Sequence, residues 1–312
     1  MKKPFSSVLK GCAAAILFGI VLCIVGAAGG GKATLYPDWK SILTLRWSFI
    51  KNESAQLSFG AAQPGALYSL NLSCDAAEVA LRKGKEFEVH TNREDLVSAK
   101  LDDGTFTVSC VQSGIIWDSD EVEITVTVPE NAQFDEALLS LDAGKLKAED
   151  LSFGQLTCEV GAGTAELKKI SVSGASSLHV GVGKLEADRL STQDFSCSID
   201  AGSADFQQLE CRGVSDISVD LGQASLSGRF DDDVRLNVST GAIELDAQRP
   251  AEYGYRLETG AGSIKIDGQQ FSGFGMDQTY REDADILFDI SCDLGEVIVD
   301  FTDSAAPQAP RI

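Results

Sequence analysis

A stretch of this chain repeats itself about every twenty residues, and nothing else in the sequence limits its fold so strongly. LSLDAGKLKA (139–148) aligns without gaps with CEVGAGTAEL (158–167), LHVGVGKLEA (178–187), CSIDAGSADF (197–206), ISVDLGQASL (217–226), LNVSTGAIEL (236–245) and LETGAGSIKI (257–266). Successive aligned glycines, from Gly144 to Gly262, are 19, 20, 19, 20, 19 and 21 residues apart. A last copy, ISCDLGEVIV (290–299), follows an insertion that holds Phe271, Phe274 and Tyr280.

Apolar residues alternate within each copy, which is the period of a strand with one buried face. A helix would put Leu146 and Ala148 on different sides. The glycine divides two alternating runs, at a bend that needs an unusual backbone angle or close chain approach. A third apolar site recurs seven residues on, at Leu151, Ile170, Leu190 and Leu209. Each unit therefore reads as a rung of about three inward-facing segments. One rung cannot bury enough surface to offset its own ordering, so rungs must stack. Equivalent side chains then pile up about 4.8 Å apart. The two sites after the glycine trade volume between rungs: Leu146 with Ala148, Ala165 with Leu167, Leu185 with Ala187, Ala204 with Phe206. The expected fold is all-β: a single-stranded parallel β-solenoid, β-helix-like, preceded by one amino-terminal transmembrane helix.

Four segments follow. Lys2, Lys3 and Lys10 precede an uncharged, apolar run, so residues 1–32 read as a basic cytoplasmic start and a signal-anchor helix. Val25, Gly26 and Ala27 offer the competing reading of a cleaved signal peptide. Residues 33–54 form a juxtamembrane segment or capping strand, with Leu43, Leu45, Trp47 and Phe49 alternating. Residues 55–302 are the strand-repeat domain, its first part less regular and carrying capping strands near its start. Residues 303–312 are a disordered tail. The bulk of the chain is thus expected outside the cell membrane, single-pass, amino terminus inside.

The formal net charge is −21, and no Lys/Arg cluster lies beyond the amino terminus, which excludes nucleic acid as a partner. The chain offers little chemistry. Its histidines are His90 and His179, and His179 should point outward between inward Leu178 and Val180. No phosphate loop, zinc-protease helix or dinucleotide turn occurs. Asp142, Asp200, Asp220 and Asp293 share the position two before the glycine, Asp200 and Asp220 as rung neighbours. Such a column suits a bend after a strand and is at most a weak calcium site. Cys158 and Cys197 share an inward column two rungs apart, about 9.6 Å, too far for a disulfide. Cys74 with Cys110 remains open as a pair. No residue is assigned a catalytic, cofactor-binding or metal-binding role, and no cofactor is expected.

The whole layout is a basic start, one membrane segment and an irregular β region with an Asp-Gly-Thr turn (103–105) and a strand ending at Val128 and Pro129. Repeated Gly-centred strand pairs follow. It resembles the bacterial "putative adhesin" family of β-strand-repeat envelope proteins, a domain family of unassigned function. That resemblance covers residues 55–301 and implies surface interaction. The expected function is a non-enzymatic, membrane-anchored module that contacts cell-wall polymer or an envelope protein. The alternatives are a modulator or sensor in an envelope-stress pathway and a carbohydrate-active β-helix enzyme.

Overall fold

The computed structural model describes residues 54–111 and 121–303. Twenty-one strands join in one sheet. The amino-terminal part holds β1 (Ala55–Gly60), β2 (Leu67–Gly84), β3 (Phe87–Thr91), β4 (Val97–Asp102), β5 (Thr105–Cys110) and β6 (Glu123–Pro129). β7 (Gln133–Val172) runs unbroken through two rungs. Four further rungs are strand pairs: β8 (Ala175–Val180) with β9 (Lys184–Thr192), β10 (Asp194–Ile199) with β11 (Ser203–Cys211), β12 (Ser215–Val219) with β13 (Gln223–Phe230), and β14 (Val234–Val238) with β15 (Ala242–Gln248). The carboxyl-terminal part holds β16 (Gly254–Thr259), β17 (Ser263–Ile266), β18 (Gln269–Ser272), β19 (Met276–Tyr280), β20 (Leu287–Cys292) and β21 (Glu296–Thr302). The described residues contain no helix long and apolar enough to cross a membrane. The expected membrane segment, nearly all of the juxtamembrane segment and the tail after Asp303 lie outside them.

The columns form as the repeat requires. Cys158 stands in parallel register with Leu178, Leu178 with Cys197, Cys197 with Ile217 and Ile217 with Leu236, and all are buried. The volume trade is also present. Ala165 lies against Leu185 and Leu185 against Ala204, while Leu167 lies against Ala187 and Ala187 against Phe206. A bulky residue therefore faces a small one across these rung steps, which keeps core volume constant; the trade ends at the next step, where Ala204 lies against Ala224 and Phe206 against Leu226.

The repeated glycine answers to space rather than to backbone angle. A Cβ on Gly183 would lie 2.4 Å from the carbonyl oxygen of Gly163, and one on Gly222 would lie 2.2 Å from that of Gly202. Of the aligned glycines only Gly144 has a positive φ, 112°. Four rungs carry a left-handed residue elsewhere, at Asp150, Lys169, Arg189 and Gln208, with φ between 54° and 61°. Each immediately precedes a buried residue of the third apolar column, Leu151, Ile170, Leu190 or Leu209. The rung therefore turns twice, once where two backbones nearly touch and once through a left-handed residue.

Both ends depart from a simple parallel coil. The last sequence copy, β20–β21, does not stack on the end. β20 pairs with β14 on one side and β16 on the other, and β21 lies likewise between β15 and β17. The chain skips one layer, builds β16–β17, and returns to fill the gap. At the other end β2 is held between β5 and β6 on one side and β7 on the other, so it too sits one layer in from the end. Antiparallel strands close each end: β4 on β5 and β3 on β6, then β19 on β16 and β18 on β17. The expectation of a wholly parallel solenoid with rungs in sequence order is corrected accordingly. Asp-Gly turns drive two of these reversals, at Asp103–Gly104 (φ 45° and 79°) and Asp267–Gly268 (φ 49° and 78°). Two consecutive positive φ values make the turn whose twist matches antiparallel strands.

Two measurements check this account. Gly222→Ala should lower unfolding stability by about 3 kcal/mol because rungs must separate. Gln208→Gly should raise it by about 0.5 kcal/mol, the relief of a left-handed side chain less the entropy of a freer unfolded chain. A loss on Gln208→Gly, in denaturant titration, would refute the two-corner assignment. Leu226 is 1% exposed. Leu226→Asp should abolish the protease resistance of the strand domain, and unchanged digestion would refute the inward column.

Candidate functional site

With the interior closed by apolar columns, function rests on outward residues. They form two strand faces, one before and one after the glycine corner.

On the first face the outward column runs Glu159, His179, Ser198, Ser218, Asn237, Ser291, Glu258. The structure brings His179 to Ser198, with Nδ1 2.8 Å from Oγ, and sets Nε2 3.6 Å from the Asp200 carboxylate. These are the residue types of a hydrolytic triad, but the setting is wrong for one. His179 and Asp200 side chains are about half exposed to solvent. The backbone N–H groups of Asp200 and Ala201 are used up on Val180 and Gly181 carbonyls, so they cannot stabilise an oxyanion. The cluster is a polar ladder rung on an open sheet. His90 lies on capping strand β3, beside Glu88, and does not join it.

The second face changes character along the coil. Near its start, ion pairs cross the rungs: Lys147 with Glu78 at 3.2 Å, and Glu166 with both Lys145 and Lys168. The hydrogen bond from Lys145 holds the Glu166 carboxyl below the usual carboxylate range and raises Lys145. Beyond Lys184 the first and third positions after the glycine carry no cation until Lys265, which pairs with Asp300 at 3.0 Å. Between them Ser203, Asp205, Gln223, Ser225, Glu244 and Glu296 line a shallow, half-open groove of about 310 Å³ running across the rungs. Hydroxyls, an amide and carboxylates in a row can accept and donate hydrogen bonds to an extended polar chain, and they favour one bearing positive charge. Sequence reading missed this groove. Its signal was the loss of Lys after Lys184 at aligned outward positions.

The aspartate column is exposed. Leu221 N–H bonds the Asp200 carbonyl, which confirms Asp200 and Asp220 as neighbouring-rung residues. Asp293, last in sequence, stacks on the Ser239 rung instead. Among the described residues no group of three or more His, Cys, Asp or Glu side chains is placed to hold a metal ion. The thiols of Cys74, Cys110, Cys158, Cys197, Cys211 and Cys292 are all buried. Cys74 and Cys110 are direct register partners on β2 and β5. Their mutual hydrogen bond, with burial, raises the Cys74 pKa. Burial pushes Cys158 and Cys197 up to about 12.

The sequence profile of the family described as Toastrack DUF4097 matches residues 69–287. Among curated proteins no sequence matches significantly. Several solved structures are similar to this chain. One is a "putative adhesin" from Bacteroides fragilis, with TM-score 0.50, 10% identity, and coverage of 80% of this chain and 98% of the other. Others are "putative adhesins" from Parabacteroides distasonis and Parabacteroides merdae, each with TM-score 0.43, at 11% and 9% identity. Each covers 79% of this chain, and 96% and 95% of the respective structures.

Thiols held neutral by burial do not alkylate, because the thiolate is the nucleophile. At pH 8 the six buried cysteines should resist iodoacetamide in the folded chain and all react in denaturant, as read by intact mass. Rapid native labelling of Cys158 or Cys197 would contradict their placement.

Proposed function

The chain belongs to the Toastrack DUF4097 family, and on that footing we propose that it is a non-enzymatic surface-interaction module of the bacterial envelope. The amino-terminal apolar run tethers it to the cell membrane, and the strand domain stands outside. Its partner is a hydroxyl-rich wall polymer that carries positive charge.

The groove after Lys184 carries this reading. Parallel rungs repeat every 4.8 Å or so, giving a long face on which an extended polymer meets equivalent groups at regular intervals. Asp205, Glu244 and Glu296 leave that stretch acidic, with Lys184 its one lining cation. Ser203, Gln223 and Ser225 supply neutral hydrogen bonds between the charges. A shallow, open site of this kind binds weakly per repeat and gains by multivalency. The names given to the structural relatives agree with a role in contact rather than catalysis.

Co-sedimentation of the purified chain with isolated cell walls tests the reading. Asp205→Lys with Glu244→Lys reverses the charge of the groove without touching the core, and should weaken binding at least about tenfold, as expected when several charge contacts of roughly 1 kcal/mol each are reversed. Wild-type binding that the double variant leaves unchanged, or no wall binding by the wild type, overturns it.

A further inference from the structure

From Gly163 onward, the residue just before each repeated glycine forms an exposed ridge at the corner between the two faces. In spatial order it runs Ala162, Val182, Ala201, Leu221, Thr240, Leu294, Ala261. Backbone hydrogen bonds link each layer to the previous one: Val182 N–H to Gly161 O at 2.7 Å, Leu221 to Asp200 at 2.7 Å, Leu294 to Ser239 at 2.9 Å. One layer further on, Gly275 N–H bonds Gly260 O, so the loop bearing Phe274 ends the ridge. Large and small side chains alternate along its length. The large ones are among the most exposed apolar residues of the described chain: Val182 at 53%, Leu221 at 61%, Leu294 at 62% and Phe274 at 92%. The alternation is not inherited from sequence order, because Leu294 takes its place only through the insertion of β20–β21 between earlier rungs.

Large side chains on every second layer project about 9.6 Å apart. A β-strand laid along the ridge would present its side chains about 6.8 Å apart and could not match. Another stack of rungs with this period does match. Turn a second copy end for end about a two-fold axis midway between Leu221 and Thr240, and every large residue meets a small one. Leu221 faces the partner's Thr240, Leu294 the partner's Ala201, Val182 the partner's Ala261, and Phe274 the partner's Ala162. A parallel pairing in register instead sets leucine on leucine and leaves gaps between, and one slipped by a layer makes a contact that does not close on itself and leaves the end layers unpaired. We infer that a second copy of this chain docks antiparallel along this ridge.

The area sets the strength. From Val182 to Phe274 is six layers, about 29 Å at the strand spacing. A strip about 10 Å wide buries roughly 600 Å² over both copies, well under the ~1,200 Å² of a stable complex. The contact is therefore transient in solution and firm only when many copies are displayed together. Asp200 meets the partner's Asp293 across the seam, so added salt strengthens the pairing, the reverse of one driven by ion pairs. β1 and the Phe274 loop lie at opposite ends of the coil. Antiparallel copies thus carry their amino-terminal ends apart, as required if they tether to two facing cells; this step rests on the surface-interaction reading above.

Full-length chains in detergent, with Cys12→Ser and Cys23→Ser, test the docking by oxidative cross-linking. A mixture of Val182→Cys and Ala261→Cys chains should give a covalent dimer whose yield rises severalfold from low to high salt, while neither variant alone does. Cross-linking of Val182→Cys with itself overturns the antiparallel arrangement, in which the two copies' Val182 residues lie five layers, about 24 Å, apart. No dimer in the mixture at any salt overturns the docking, and it leaves the wall-binding reading standing if co-sedimentation is intact. Leu221→Glu with Leu294→Glu, both on the surface, should remove the dimer signal from the Val182→Cys and Ala261→Cys mixture without changing the melting curve.

Discussion

The approach of one backbone to the next at the rung corner governs this structure. Strands in register lie about 4.8 Å apart, and at the corner the gap closes further, until the carbonyl of Gly202 occupies the space a Cβ on Gly222 would need. A side chain there would separate the layers and break ladders on both faces. The corner position is therefore fixed in every stacked rung, and with it the register. Fixed register puts Leu178, Cys197 and Ile217 in one column and lets Ala204 sit under Leu185. The β2 rung has Ala77 where the others have glycine. Its outer neighbour is made of two strands, β5 and β6, which end and begin at Cys110 and Glu123.

Much of this was legible because the constraint recurs. Seven aligned copies reveal which residues point inward, and the structure buries them. The second corner was harder to see. A left-handed φ needs no special side chain when the fold over-determines it, and Asp150, Lys169, Arg189 and Gln208 have no chemistry in common. Similarity among copies also says which residues are equivalent, never which rung is the neighbour of which. That is why the placement of β20–β21 between β14–β15 and β16–β17 left no trace in the alignment. The turns that permit it, Asp103–Gly104 and Asp267–Gly268, are ordinary local signals whose long-range effect depends on what pairs afterwards.

The surface was less legible for a related reason. Inward positions are constrained by volume and so repeat, whereas outward positions are free to differ, and their meaning emerges only when read down a column. The groove is the stretch of two such columns where lysines stop, between Lys184 in one and Lys265 in the other. The ridge is another column, and part of it is out of sequence order. His179 and Ser198 show the opposite hazard. Residues that look catalytic can meet on neighbouring strands simply because every column brings some pair together, and only the spent backbone amides and open solvent around them tell the two cases apart.

The ends explain why such a coil can stand exposed. A simple solenoid finishes with its last rung in sequence, open on one face and able to fray or to recruit another edge strand. Here the last rung is an inner one. Removing β21 means breaking ladders to β15 and β17 together, so the carboxyl terminus is pinned on both sides. At the carboxyl-terminal end the outermost strands run against the coil, and β18 and β19 face outward with Gln269, Gln270, Asp277 and Gln278. An incoming parallel strand finds there neither the matching direction nor an apolar face. Closing the edges in this way leaves the sides of the coil, the groove and the ridge, as the surfaces through which the molecule can make contact.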